Sequence, residues 1–144
     1  MSMYDYLLKF ADEATAESDP VMAARYYRPP TTGPAGDFPG AWAGDRVIPG
    51  VQVWDPANDT TVTIEGPNGS FQAVKHQYLD GFWLVIAETK QLADLDSHPN
   101  LLILADRDDP NATWIIDNTG DPNWRRHMMQ PLFAGSEYLF TKGQ

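Results

Sequence analysis

The sequence contains no cysteine, and this absence removes several classes of site at once. Without thiols the chain has no disulfide bonds, no thiolate nucleophile and no cysteine-ligated zinc, iron–sulfur or haem centre. It also has little uninterrupted hydrophobic sequence, and its most apolar run is confined to residues 81–87. Because a membrane-spanning helix needs about 20 apolar residues, we expect no membrane-spanning segment.

Basic residues are scarce, with 10 Lys and Arg against 20 Asp and Glu and a formal net charge of −10. An acidic surface repels phosphate, so neither a nucleic acid nor an anionic membrane is an expected partner. The same charge is typical of a soluble acidic protein whose copies repel one another. Residues 1–10 lack the basic start and long apolar segment of a signal peptide, which predicts a cytoplasmic or virion-associated protein.

Motifs that carry chemistry are missing as well. There is no Gly-x-Ser-x-Gly elbow, no Gly-x-Gly-x-x-Gly and no phosphate-binding loop. The histidines, His76, His98 and His127, show no spacing typical of metal ligands. The acidic clusters at residues 94–96 and 106–109 lack the glycine and glutamate of a calcium loop. We therefore expect no metal and no cofactor, and the pattern favours a non-enzymatic protein while leaving an enzyme open.

At 144 residues the chain is predicted to form a single α+β domain, residues 1–144. Proline and glycine interrupt residues 28–50 throughout, which predicts a long loop. Residues 117–144 contain many large apolar side chains, so we expect this segment to be a tail that docks on the domain or on another copy.

The run Gly-Phe-Trp-Leu-Val-Ile-Ala at residues 81–87 predicts a strand that is buried on both faces. Residues 4–10 predict a first strand, which we expect to lie in the same sheet. Between them, Asp12 is a suitable N-cap for a helix over residues 12–18, and Pro20 fits the first turn of a second short helix.

Residues 61–65 alternate polar and apolar side chains, so Val62 and Ile64 are predicted to be buried. Asn68-Gly69 predicts a type I′ turn, with residues 70–74 as the returning strand of a hairpin.

A helix over residues 88–96 and strands at 101–105 and 113–116 complete the predicted order. Strand, helix, strands, strand, helix, strand is the β-α-β-β-α-β order of a ferredoxin-like sandwich, here with an additional β-meander and hairpin.

One group of aromatic residues predicts a ligand pocket. Trp54, Tyr78 and Trp83 are candidates to line it, with His76 and Arg46 as its polar groups. The competing interpretation is that these aromatic side chains are ordinary core residues.

A second group of aromatic residues predicts an interface. Phe38 and Trp42 lie in the long loop, and Trp124 and Phe133 lie in the tail. Their size and apolar character favour packing on the domain or on a neighbouring subunit, with a second copy or another protein of an assembly as the partner.

The segment Tyr-Leu-Leu-Lys-Phe-Ala-Asp-Glu-Ala-Thr-Ala at residues 6–16 resembles the start of small uncharacterised bacteriophage and prophage proteins. Residues 40–54 and 82–106 are similar to the same outline, a Gly/Pro/Trp-rich middle followed by a strand and a short helix. The resemblance implies a viral or prophage origin and supplies no catalytic residues. The tail after Ala105 departs from that outline.

Two hypotheses follow from the sequence. The first is a non-enzymatic phage-type protein that acts by self-association or by docking in a larger assembly. The second is a small α+β-barrel enzyme or ligand-binding protein with an aromatic pocket near His76.

Overall fold

The computed structural model describes residues 3–108, 114–121, 124 and 129–130. The strands are β1 Tyr4–Phe10, β2 Tyr27–Arg28, β3 Ala41–Trp42, β4 Val47–Val53, β5 Thr60–Gly66, β6 Gly69–Lys75, β7 Phe82–Glu88, β8 Leu101–Asp106, β9 Trp114–Asp117 and β10 Met129–Gln130. The helices are α1 Glu13–Ser18, α2 Pro20–Arg25 and α3 Ala93–Asp96, and Pro56–Asn58 form a 3-10 turn.

The body of the protein is a sheet in the order β10-β4-β7-β1-β8-β9, in which every neighbouring pair is antiparallel. At its centre β1 and β7 pair along their whole length, from Tyr4 opposite Glu88 to Phe10 opposite Phe82. The prediction that these two segments share one sheet is therefore confirmed. β7 is buried at all five of its central positions, as its unbroken apolar sequence indicated.

Both faces of this sheet are covered. On one face the helices contribute Ala16, Met22 and Leu95 to a core that includes Leu84 and Ile86 of β7. On the other face Trp83 and Val85 of β7 pack with Trp124. Side chains alternate across the sheet along each strand, so one apolar run supplies residues to both cores.

Two aspartates set the helix boundaries. The Asp12 carboxylate accepts a hydrogen bond from the backbone N–H of Thr15 at 2.8 Å, which confirms it as the N-cap of α1. Asp19 ends α1 and caps α2, where Pro20 occupies the first turn and needs no N–H partner. Nε2 of the buried His98 lies 2.9 Å from Asp19, so the cap is tied to the end of α3.

A buried ion pair lies near the start of β1. Asp5 is fully buried, and both of its carboxylate oxygens accept hydrogen bonds from Arg107, at 2.9 and 2.6 Å. Burial raises the pKa of the Asp5 carboxyl, and the guanidinium of Arg107 offsets only part of that effect.

The α+β class is confirmed, but the strand order of the whole sheet differs from that of a four-stranded ferredoxin-like sandwich. β9 adds an outer strand beside β8, and β10 adds another beside β4. Both additions come from the last third of the chain, where the sequence indicated only a short strand and a tail. The helix predicted over residues 88–96 is also shorter, because only Ala93–Asp96 are helical.

The predicted loop over residues 28–50 contains regular structure at both ends. β2 and β3 form a small antiparallel ribbon, and Thr31 bridges to Phe38. β4 begins at Val47, so the Pro49-Gly50 pair lies inside a strand rather than in a turn. The register against β7 shifts at this point, and Gly50 has a φ of +69°, a bulge conformation that a glycine adopts without strain.

The predicted hairpin is present as β5 and β6, but its turn and its burial both differ from expectation. The two turn residues are Pro67 and Asn68, between the paired Gly66 and Gly69. Because proline fixes φ near −65°, a type I′ turn is impossible there. Val62 and Ile64, predicted to be buried, are exposed. Among the described residues, neither core cluster includes these two side chains.

In the described residues, no helix has the length and apolar character needed to cross a membrane.

Candidate interaction site

The most exposed regular structure is the hairpin of residues 60–75, which we call the arm. Its strands pair from Thr60 opposite Lys75 to Gly66 opposite Gly69. Every residue of β5 is exposed, and β6 is exposed at all but one position. The arm is therefore a two-stranded sheet that stands apart from the two cores of the body.

One face of the arm is apolar. Ile64 lies directly opposite Phe71, and Val62 lies opposite Ala73, so these four side chains form a continuous patch. Ile64 is 42% exposed and Phe71 is 56% exposed. Because cross-strand pairs of this kind normally pack against a core, their exposure makes this face of the arm the candidate interaction surface.

The outer edges of the arm are also free of strand partners. Within the residues that the structure describes, β5 and β6 pair only with each other. Natural proteins usually protect such edges with proline, charge or a bulge. Between Thr60 and Lys75 each strand carries a single charge near one end, Glu65 on β5 and Lys75 on β6, and neither strand contains proline. The arm therefore lacks these protections along its middle.

Asp59 fixes the arm to the body. Its carboxylate accepts hydrogen bonds from the indole Nε1 of Trp54 at 2.9 Å and from the backbone N–H of Gln77 at 2.8 Å, and lies 3.0 Å from Nδ1 of His76. These contacts join the chain entering β5 to the chain leaving β6. Partial burial opposes ionisation, but the donors outweigh it and lower the pKa of the Asp59 carboxyl.

Three of the five predicted ligand residues lie together at this junction. Trp54 and Tyr78 form a β-bridge, and the His76 ring meets Trp54 edge to face with centroids 5.1 Å apart. The geometry is that of a packed junction, with the His76 ring directed at the Asp59 carboxylate.

The other two predicted ligand residues lie elsewhere. Arg46 is on the helix side of the sheet, where Nη1 is 3.6 Å from Glu88 and the guanidinium is 5.4 Å from the Tyr26 ring centroid. Burial and a hydrogen bond to Glu88 raise the pKa of Tyr26 to about 12. Trp83 is buried on the opposite face and stacks on Trp124 at 5.7 Å. The predicted set of five is therefore not assembled in one pocket.

A cavity of about 570 Å³ lies beside the arm junction, between the segment that follows β4 and the start of β7. Trp83 and Lys9 form part of its wall, and the ammonium of Lys9 lies 5.3 Å from the Trp83 ring centroid. Asp55, Asp80 and Asp121 also line it. Neither His76 nor Arg46 lines this cavity. In the described part of the chain no three His, Asp or Glu residues are grouped so that they could hold a metal ion.

The predicted interface aromatics make contacts within the chain. Trp42 stacks on Phe82 at 6.1 Å, and Phe38 lies under the guanidinium of Arg28 at 4.2 Å. Trp124 is buried against Trp83, and Phe133 lies outside the described residues. Trp42 thus packs the 28–50 segment onto β7, whereas the contacts of Phe38 with Thr31 and Arg28 lie within that segment.

Sequence reasoning missed Phe71 and Val74, which are the most exposed large apolar residues of the arm at 56% and 62%. The Asn68-Gly69 pair predicts the returning strand at residues 70–74 without indicating that its side chains form an exposed surface. The sequence does contain an indication of this surface. Residues 61–64 favour strand and carry no charge, and residues 70–74 are uncharged as well.

No protein-family model, no curated protein and no solved structure matches the chain.

Proposed function

We propose that this protein is a non-enzymatic component, of the phage or prophage type that residues 6–16 resemble, which acts through self-association or docking in a larger assembly. The observation that carries the proposal is the arm. A two-stranded hairpin is marginally stable in water unless a further strand or a packed face supports it. An exposed arm with an apolar face and open edges gains that support when another chain adds strands to an edge or packs against the face.

Charge supports the arm as the contact point. The whole chain has a net charge of −10, so its copies repel one another over most of their surface. Residues 60–75 contain one acid, Glu65, and one base, Lys75, and therefore have no net charge. The arm is a place where two copies meet with little electrostatic cost, in the cytoplasm or in a virion.

We further propose that the body is an extended ferredoxin-like unit. If β1, β4, β7 and β8 are numbered first to fourth, their order across the sheet is second, third, first, fourth, with neighbours antiparallel. α1 and α2 follow the first strand, and α3 follows the third. This arrangement supports a split β-α-β pattern to which β9 and β10 were added.

The experiment is a mass measurement by light scattering over a range of concentrations. We expect the wild type to exceed the 16.1 kDa of one chain, and the double variant Ile64→Thr/Phe71→Ser to have that single-chain mass. Thr61→Ser/Thr63→Ser is the matched control, because it changes the opposite face of the arm and should associate as the wild type does. A wild type that stays at one chain at every concentration would exclude self-association.

The cavity beside the arm favours a second candidate, a ligand-binding protein, because an aromatic side chain and several polar groups meet there. A small molecule that raises the melting temperature of the wild type, and fails to do so for Asp80→Asn, would support it. If no compound in a chemically diverse set shifts the melting temperature, this candidate loses its basis.

A further inference from the structure

Resting on the proposed function, we propose that the partner is a second copy of this chain and that the two arms join along β6. The product is a four-stranded antiparallel sheet in the order β5-β6-β6-β5, with a two-fold axis between the β6 strands. Such isologous contacts are the commonest way in which identical chains associate.

The hydrogen-bond pattern of the arm leaves β6 ready for this pairing. Gly66 and Gly69 flank a two-residue turn, so these two residues exchange backbone hydrogen bonds, and every second pair below them does the same. The N–H and C=O groups of Ser70, Gln72 and Val74 therefore point away from β5. Within the described residues, no backbone hydrogen bond between separate elements reaches them.

These outward groups define one register. If the axis passes through the pair formed by Gln72 and its copy, then Ser70 of each chain lies opposite Val74 of the other. All three outward positions of each strand then exchange hydrogen bonds across the contact. The same register places Phe71 opposite Ala73 of the second copy, a large side chain beside a small one on the apolar face.

Charge and exposure favour β6 over β5 as the joining edge. In the β6 register, Lys75 lies one residue beyond the hydrogen-bonded segment 70–74, opposite Gly69 of the second copy. No like charges therefore meet across the contact. An equivalent pairing of β5 centred on Thr63 would place Glu65, a charged edge residue, among the outward positions. The apolar side chains of β6 are also the more exposed, with Phe71 at 56% and Ile64 of β5 at 42%.

Joining the arms also stabilises the hairpin, which is only marginally stable alone in water. The apolar patches of the two copies, each formed by Val62, Ile64, Phe71 and Ala73, become one face of a four-stranded sheet. A sheet of three or more strands with a hydrophobic face can be stable by itself, whereas a lone two-stranded hairpin is marginal.

The absence of native cysteine permits a direct test with single cysteines. Gln72→Cys places a thiol on the proposed axis, where paired Cα atoms lie about 5.5 Å apart, within the range of about 4.4–6.8 Å that disulfides span. Thr63→Cys is the matched control. Thr63 lies opposite Gln72 within the arm and accepts a hydrogen bond from it at 2.8 Å, so both variants lose the same contact.

Each full-length variant is oxidised with a copper–phenanthroline catalyst and analysed on a non-reducing gel, and its mass is measured before oxidation. We expect a cross-linked dimer for Gln72→Cys and a single chain for Thr63→Cys. Cross-linking of Thr63→Cys alone would overturn the proposal in favour of a β5 contact. Equal cross-linking of both variants, or of neither, in an associated protein would overturn it while leaving self-association intact. A single-chain mass for the wild type and both variants would overturn both the β6 contact and self-association itself.

Discussion

β7 and β5 are strands of seven residues each, yet the first is buried at every central position and the second is exposed throughout. β7 has a strand on each side, β4 and β1, and a core on each face. Within the part of the chain that the structure describes, β5 has one neighbour, β6, and belongs to neither core. The unbroken apolar sequence of β7 accounts for its burial on both faces, whereas the alternating sequence of β5 does not determine whether a core lies against its apolar face.

The difference also separates two kinds of stability. The body owes its stability to apolar surface removed from water, at about 25 cal/mol per Å². The arm, in one chain, depends on its internal hydrogen bonds and on the contacts of Asp59. Substitutions in the body should therefore change the free energy of global unfolding. Substitutions in the arm should instead change its local opening or the association of two chains.

The largest expected effect comes from an aspartate in β7. Leu84→Asp puts an unpaired carboxylate into a core position with no solvent access, and we expect a loss of more than about 4 kcal/mol, enough to unfold the domain. Circular dichroism and urea titration measure this.

The matched substitution in the arm is Val62→Asp, at a residue that is 38% exposed. Its effect on the free energy of unfolding should stay within about 0.5 kcal/mol, as for other surface changes. If Val62→Asp unfolds the protein as Leu84→Asp does, the arm belongs to the core and the comparison between the two regions fails.

The sequence was sufficient to predict the body where residue type determines the local structure. Continuous apolar runs identified β1, β7 and β8, and Asp12 and Pro20 identified the helix starts. The wider sheet required knowledge of pairings between distant segments, such as β4 with β10, which no local pattern contains. The prediction that Val62 is buried is wrong for a related reason. Alternation indicates that a strand has two different faces, but it does not say whether a core lies against one of them.

The same limit applies to the candidate site. Trp54, His76 and Tyr78 were selected for their chemistry and do lie together, because they flank the hairpin on both sides. Arg46 and Trp83 were selected for the same reason and lie on opposite faces of the sheet. Trp54, His76 and Tyr78 come together because they flank one hairpin in the sequence, whereas the positions of Arg46 and Trp83 depend on the sheet topology.

The next largest effect is expected at the buried ion pair of the body. Arg107→Ala leaves the fully buried Asp5 carboxylate without its principal cation, which should cost about 3–5 kcal/mol near pH 7. Urea unfolding of the variant measures the loss. The double variant Asp5→Asn/Arg107→Ala should recover part of it, because no buried charge then remains.

The direction in which stability changes with pH follows from the raised pKa of Asp5. The pKa of Asp5 in the folded protein is raised above its ordinary value of 3.8, so the folded state binds the proton more tightly than the unfolded chain. This contribution therefore increases stability as the pH falls through the folded-state pKa. The deficit of Arg107→Ala relative to the wild type should shrink on acidification. A deficit that stays constant with pH would mean that Asp5 is not the source.

Two glycines allow the same substitution in body and arm. Gly81 has a φ of +107°, and a β-carbon there would lie 2.7 Å from Cε of Lys9 and 3.0 Å from the carbonyl oxygen of Phe10. Gly69 has a similar φ of +114° with open space around it. We expect Gly81→Ala to lower the free energy of unfolding by about 1–3 kcal/mol, measured by urea titration.

Gly69→Ala should change global unfolding much less, because the backbone strain falls in the arm and no atoms collide. Equal losses for the two variants would show that the arm unfolds together with the body.

The smallest expected effect is on the motion of the arm about its junction. Asp59→Asn keeps the side-chain shape, and its amide oxygen can still accept from Trp54 Nε1 and the Gln77 N–H, but the negative charge is lost and the NH2 group that faces His76 cannot accept a hydrogen bond. We expect faster amide hydrogen exchange over residues 60–75 and unchanged exchange in β1 and β7. Asp55→Asn is the control, because within the described residues its carboxylate accepts a hydrogen bond from the Asn58 side chain and from no residue of the arm strands.

Acid should reproduce this effect in the wild type. The pKa of Asp59 is lowered from its ordinary value of 3.8, so the anchoring is fully present above that value and is lost as the pH falls through the folded-state pKa. After correction for intrinsic exchange rates, wild type and Asp59→Asn should therefore differ at neutral pH and converge in acid. Equal exchange of the arm in both proteins at neutral pH would mean that Asp59 does not hold it.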